Sequence, residues 1–140
     1  MALSTVTHLN FCGEARAALA FYRSVFGGDV TLVTYANANS VENPAEADQV
    51  MWGQVVADNG FRVMAYDVPA SRPFARGEGS FFVSLRGDDE DEIKSFWQGL
   101  SDGGTVLVEL GPAQWAPLYG MVVDRFGIAW VLDIAAPWGG

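Results

Sequence analysis

The chain is poor in the side chains that build disulfides, metal sites and nucleic-acid interfaces. Its 140 residues include one cysteine, Cys12, and one histidine, His8, which excludes an internal disulfide and a cysteine-based zinc site. Eight Lys and Arg residues stand against seventeen Asp and Glu residues, and the net charge is −9. Because nucleic acids and anionic membrane surfaces are bound through clustered basic side chains, we expect neither as a partner.

Long apolar runs are also missing. No stretch approaches the ~20 apolar residues that a membrane-spanning helix requires, and the first residues lack the basic start and apolar run of a signal peptide. We therefore expect a cytoplasmic protein. Apolar residues as such are abundant, at 50% of the chain with 13% aromatic, which suffices for the core of one domain of this length.

Secondary-structure signals occur twice in the same order. The first half predicts strand, helix, strand, strand and strand over residues 6–12, 14–26, 29–35, 49–57 and 61–66. The second half predicts the same series over residues 80–86, 88–100, 105–110, 119–123 and 128–134. Each helix shows apolar spacing and ends at a glycine pair, and Asn59-Gly60 is a strong hairpin signal. Equivalent glycines, such as Gly13 and Gly87, lie 74 residues apart.

This repetition predicts a duplicated β-α-β-β-β unit in an α+β fold. The first module spans about residues 5–67, a linker covers 68–79, and the second module spans about 80–135. Two small units of this kind must pair to bury their sheets. We therefore expect a single domain made of two modules.

Several motifs carry a family resemblance. They are HLNFCG at residues 8–13, ALAFY at 18–22, VFGG at 25–28, QVMW at 49–52, WAPLYG at 115–120 and DRFGIAW at 124–130. With them the chain resembles the glyoxalase, bleomycin-resistance and extradiol-dioxygenase superfamily, called vicinal oxygen chelate. Within it the chain is similar to the PhnB-like branch, formerly labelled a 3-demethylubiquinone methyltransferase domain. The resemblance implies two paired modules that form a curled mixed sheet with a cleft, and a homodimer.

The resemblance also raises the question of a divalent metal, which the enzymes of this superfamily hold through side chains on several strands. Its ligands would fall at Thr7, at Ser80 or Phe81, and at Val131, and none of these is a good metal ligand. His8 lies one position after Thr7, which would turn it to the other face of the strand. We therefore predict neither a metal nor another cofactor. Methyl transfer is not expected either, because the glycine pairs end helices and do not follow strands.

Aromatic residues on or beside the strands are the candidate ligand site. In relatives such strands line the concave face, and clefts lined by aromatic and polar groups commonly bind small molecules. The candidate residues are His8, Tyr35, Trp52, Tyr66, Trp115 and Tyr119. The same aromatics could instead fill an interface between units or subunits, and His8 could be a hydrogen-bonded structural residue. Cys12 is interpreted as a small buried apolar residue.

Two functions from different classes follow. The first is a metal-free protein that binds, and thereby sequesters, an aromatic or cationic drug or metabolite, with no catalysis. The alternative is a metal-dependent lyase, isomerase or dioxygenase with other ligands than those aligned above. A third hypothesis is a protein in which dimerisation matters more than any ligand, with Trp52 and Trp115 filling the cleft.

The metal prediction is testable on the purified protein. A specific metal site at a hundredfold excess of ion over Kd would raise the free energy of unfolding by about 2.7 kcal/mol. We expect no stoichiometric metal by elemental analysis and no thermal shift with Mn²⁺, Ni²⁺ or Zn²⁺. Stoichiometric metal would contradict the metal-free interpretation and make His8 the first residue to mutate.

Overall fold

The chain folds into two compact units, which are described separately. The structure is a computed structural model that describes residues 2–136. The first unit ends at Ala75 and the second begins at Arg76, a boundary inside the predicted linker. The first unit contains β1 (Thr7–Phe11), α1 (Ala15–Phe26), β2 (Asp29–Thr34), β3 (Val50–Val56) and β4 (Arg62–Asp67). The second contains β5 (Val83–Gly87), α2 (Glu90–Ser101), β6 (Thr105–Ala113), β7 (Ala116–Val123) and β8 (Ala129–Ile134).

Each unit contains one four-stranded mixed sheet with the same strand order. The first sheet runs β1-β4-β3-β2 and the second β5-β8-β7-β6. In both, the first strand pairs in parallel with the last, and the other neighbours are antiparallel. The predicted α+β class and the repeated β-α-β-β-β order are therefore confirmed.

The helix of each unit covers one face of its sheet. The apolar side chains of α1 recur at helical spacing and are buried: Ala15, Ala18, Leu19, Tyr22 and Phe26. On β1 and β4, alternate residues are buried to match, with Leu9 at 2% exposure and Phe11 at 0% on β1. The alternate residues, such as His8 on β1 and Met64 on β4, therefore occupy the face away from α1.

A glycine on a central strand lets each helix approach its sheet closely. A Cβ atom at Gly53 on β3 would lie 2.5 Å from Leu19 Cδ1 of α1, and one at Gly120 on β7 would lie 2.8 Å from Cζ3 of Trp97 on α2. Both distances are shorter than van der Waals contact. The absence of a side chain at these positions therefore sets the helix-to-sheet distance.

The carboxylate of Asp67 joins three segments of the first unit. This side chain, at the end of β4, is 1% exposed. Its Oδ1 accepts hydrogen bonds from the backbone N–H groups of Gly13 at 2.7 Å and Ala15 at 3.0 Å, and its Oδ2 accepts one from Val50 N–H at 2.9 Å. Glu14 provides no side-chain cap for α1. Asp67 therefore satisfies the N–H group of the first helical residue from the end of the neighbouring strand β4.

The predicted element boundaries differ from the structure mainly in the second unit. Strand β5 begins at Val83 and not at residue 80, and α2 begins at Glu90 because the Asp89 side chain caps it through Glu92 N–H. Strands β6 and β7 extend to within two residues of each other.

Cys12 is exposed, so its interpretation as a buried residue is wrong. Within residues 2–136, no helix has the length and apolar character to cross a membrane.

Replacing Asp67 tests its role in stability. Asp67→Ala leaves three N–H groups without their acceptor, two of them buried, so we expect the free energy of unfolding to fall by about 3 kcal/mol or more. Asp67→Asn retains one acceptor oxygen and should cost less. Urea denaturation measures both, and Asp58→Ala in the exposed β3–β4 turn is the control. An equal, small effect of all three substitutions would contradict this role.

Candidate functional site

A cleft in the first unit lies where the loop after β2 meets the turn after β4. Its volume is about 330 Å³, within the range of small-molecule sites. The residues that line it are Tyr35, Ser40, Glu42, Glu46, Met51, Tyr66, Pro69 and Arg72. Aromatic and thioether groups provide the apolar wall, and three charged side chains surround it.

Tyr35 forms the buried part of the wall. It follows β2 directly and is 9% exposed. Its hydroxyl donates a 2.6 Å hydrogen bond to the backbone carbonyl of Asp67, so the end of β4 holds the ring in place. Burial, together with Tyr66 and Asp67 nearby, raises the pKa of the Tyr35 phenol. The phenol is therefore a neutral donor at physiological pH and does not act as a base.

Tyr66 connects the cleft to His8. Tyr66 lies on β4, and its ring contacts the His8 ring edge-on at 5.0 Å between centroids and 64° between planes. The Tyr66 hydroxyl accepts a 3.4 Å hydrogen bond from the Arg72 guanidinium. His8 Nδ1 is 3.1 Å from Asn10 Oδ1. His8 thus supports the Tyr66 ring from the neighbouring strand without lining the cleft.

Two glutamates fix the loop of residues 36–48 against the turn after β4. The Oε2 atom of Glu46 accepts a 2.9 Å hydrogen bond from Ala70 N–H. The Oε2 atom of Glu42 accepts a 2.8 Å hydrogen bond from the Ser71 hydroxyl. Glu46 lies in a short 3₁₀ turn, Pro44–Glu46, capped by the Asn43 side chain. These contacts hold both carboxylates at the edge of the cleft.

The remaining predicted aromatics do not line this cleft. Trp52 is half-buried on β3 beside Met51, but it is not among the residues that line the cleft. Trp115 and Tyr119 belong to the second unit, where their rings meet edge-on at 5.2 Å between centroids. Trp115 lies in the short turn between β6 and β7 and is 56% exposed. Within the first unit, the structure brings together three of the predicted residues, His8, Tyr35 and Tyr66.

Sequence reasoning missed the charged part of the cleft. Glu42 and Glu46 lie between the predicted strands of residues 29–35 and 49–57, and Arg72 lies in the predicted linker. Their proximity depends on hydrogen bonds between residues 24 and 29 positions apart, which no local pattern reveals. The asparagine and proline content of residues 36–48 is typical of a loop, but it does not determine the path of that loop.

Comparison with known proteins places the chain in a family. Residues 5–132 match the sequence profile of the Glyoxalase/Bleomycin resistance protein/Dioxygenase superfamily. The chain belongs to this superfamily.

Individual relatives agree with that assignment. Protein YjdN from Escherichia coli (strain K12) is 23% identical over 136 residues, which cover 91% of this chain and 92% of YjdN. The crystal structure of protein PA1353 from Pseudomonas aeruginosa is similar with a TM-score of 0.81 and 31% identity, over 96% of this chain and 98% of that one. A PhnB protein from Bacillus cereus shares the fold with a TM-score of 0.71 and 22% identity, over 95% and 100% of the two chains.

The residues of the first unit do not fit the divalent metal that the superfamily implies. Thr7 shares the α1-facing side of β1 with Leu9 and Phe11, and His8 lies on the other face. The register partner of His8 on β4 is Met64, and a thioether is a poor ligand for hard divalent ions.

The second unit fits no better. Ser80 and Phe81 precede β5, and the residue in register with Val131 is Ser84. Asp133, two residues further along β8, uses both carboxylate oxygens in a bidentate pair with Arg86 at 3.0 and 2.9 Å. Across residues 2–136, no three His, Cys, Asp or Glu side chains cluster as a metal site would require.

The raised pKa of Tyr35 predicts that the difference in stability between the wild-type protein and Tyr35→Phe depends on pH. Its raised pKa means that the folded state retains the proton more strongly than the unfolded chain does, where the ordinary value is 10.0. The stabilisation of the folded state by the protonated phenol is complete below pH 10 and is lost as the pH rises toward the raised pKa. Tyr35→Phe should cost about 1 kcal/mol at pH 8, and this gap should narrow at pH 11.

Urea denaturation of both proteins at pH 8 and pH 11 measures the gap. Tyr119→Phe in the second unit controls for loss of a phenol. A gap that stays constant between the two pH values would show that the Tyr35 proton is not linked to folding.

Proposed function

We propose that this protein binds a small organic molecule in the cleft of the first unit, without a metal ion and without catalysing a reaction. The observation that carries the proposal is the cleft of about 330 Å³ that combines the rings of Tyr35 and Tyr66 with charged side chains. Aromatic walls with a few fixed polar groups are the usual composition of ligand sites. The net charge of −9 favours small molecules over nucleic acid as partners.

Fixed polar groups support binding over simple surface roughness. The Tyr35 hydroxyl, Glu42 and Glu46 each make a hydrogen bond that holds them in place before any ligand arrives. A preorganised site loses less side-chain entropy when it binds. The metal-dependent alternative receives no comparable support, because His8 pairs in register with Met64.

A cytoplasmic homodimer belongs to the same proposal. Strand β6 is the edge of the second sheet, and Val106, Leu107 and Val108 are 36%, 51% and 42% exposed. Consecutive exposed apolar residues on an edge strand are usually covered in a functional assembly. This supports a second copy as a partner.

The cleft can be filled to test the proposal. We expect some members of a library of charged and neutral small molecules to raise the unfolding temperature in the presence of EDTA. Ser40 is an exposed residue that lines the cleft, so Ser40→Trp should place an indole there and abolish those shifts. Thermal unfolding followed by circular dichroism is the measurement.

Ala20→Trp on the exposed side of α1 is the matched control and should retain every shift. Ligands that bind equally well to the Ser40→Trp protein would place their site elsewhere. Binding that disappears in EDTA would contradict the metal-free mode.

A further inference from the structure

Opposite charges surround the cleft without pairing with each other. Glu42 and Glu46 supply two carboxylates, and Arg72 supplies a guanidinium. The ion pairs found among residues 2–136 join Arg86 to Asp133, Lys94 to Glu90 and Arg125 to Asp102. None of them involves the charged residues of the cleft. Acid and base therefore share one cavity with their charges unneutralised by each other.

Each carboxylate has an oxygen left for a ligand. The hydrogen bonds from Ala70 and Ser71 both use Oε2. In the described chain, Oε1 of Glu42 and Oε1 of Glu46 accept no hydrogen bond. One oxygen thus positions each carboxylate, and the other is available to accept from a cationic group such as an ammonium.

Arg72 is held in a similar way. Its backbone N–H donates to Pro69 O at 2.9 Å, which forms the turn, and its Nη1 donates a long 3.4 Å hydrogen bond to the Tyr66 hydroxyl. A guanidinium has five N–H donors in a planar fork. Most of them are therefore available for an anionic group, and a carboxylate matches the fork with two parallel hydrogen bonds.

We propose that the ligand of this cleft is a small zwitterion of the amino-acid type, whose ammonium group binds Glu42 and Glu46 and whose carboxylate binds Arg72. The inference rests on the proposed function, because it names the ligand class of the same site. The apolar part of the ligand lies against Tyr35, Tyr66 and Met51. A purely cationic ligand would leave the guanidinium unmatched, and a purely anionic one would face two carboxylates.

Matched probes separate these possibilities. One set is phenylalanine, 2-phenylethylamine and 3-phenylpropanoate, which share a ring and differ in charged groups. A second set is leucine, 3-methylbutylamine and 4-methylpentanoate. Isothermal titration at pH 7.5 and one fixed salt concentration gives each Kd, because exposed charge interactions depend on ionic strength. We expect at least one amino acid to bind ten times more tightly than both its amine and its acid.

Charge-neutralising variants assign the contacts. Arg72→Gln should weaken binding of the amino acid at least tenfold and leave the affinity for the amine unchanged. Glu46→Gln keeps an acceptor for Ala70 N–H and so retains the loop contact. It should nevertheless weaken the binding of both the amino acid and the amine. Arg62→Gln and Glu14→Gln change exposed residues outside the cleft and should have no effect.

The outcomes distinguish the inference from the proposed function. An amine that binds as tightly as its amino acid, or a library in which only neutral or singly charged compounds bind, would overturn the zwitterion and leave the cleft as a binding site. Absence of binding by every probe and every library compound would overturn both. Equal affinities in wild type, Arg72→Gln and Glu46→Gln would show that the charged residues only tie the loops together.

Discussion

The first unit is organised around the carboxylate of Asp67, which accepts hydrogen bonds from the first residue of α1, from Gly13 two positions before it and from the first residue of β3. These donors lie 17 to 54 positions from Asp67 in the chain, so the interaction forms only in the folded state. A buried carboxylate is costly unless its oxygens are satisfied, and here three N–H groups satisfy them. The backbone carbonyl of the same residue accepts from Tyr35. Asp67 thus supports the scaffold through its carboxylate and the wall of the cleft through its backbone carbonyl.

The second unit uses a buried aspartate in a different place. The carboxylate of Asp124 accepts from Phe126 N–H, Ile128 N–H and Trp130 Nε1 at 2.8, 3.1 and 2.9 Å. It therefore closes the β7–β8 turn and anchors a fully buried tryptophan. This explains why the motif of residues 124–130 combines an acid, a glycine and an aromatic at fixed spacing.

Local patterns predicted the fold well and the site only partly. Periodicity, glycine pairs and the Asn59-Gly60 turn are properties of neighbouring residues, so strand and helix order followed from the sequence. The positions aligned for a metal depend on register, because a shift of one residue changes the face at Thr7 and a boundary difference of three residues leaves Ser80 and Phe81 outside β5. Tyr35 and Tyr66 were selected because they are aromatic residues on or beside predicted strands. The charged residues of the cleft were missed because their meeting depends on two loops that only the folded sheet brings together.

Because each helix approaches its sheet closely at Gly53 or Gly120, the two faces of each sheet differ in the substitutions that they tolerate. On the helix side, a single added carbon would displace a helix, so few substitutions can be tolerated there. On the opposite side, His8 is exposed and Gln54 and Met64 are half-buried, and all three point away from the helix. Substitutions on that side can therefore change the chemistry of the sheet surface without displacing the helix.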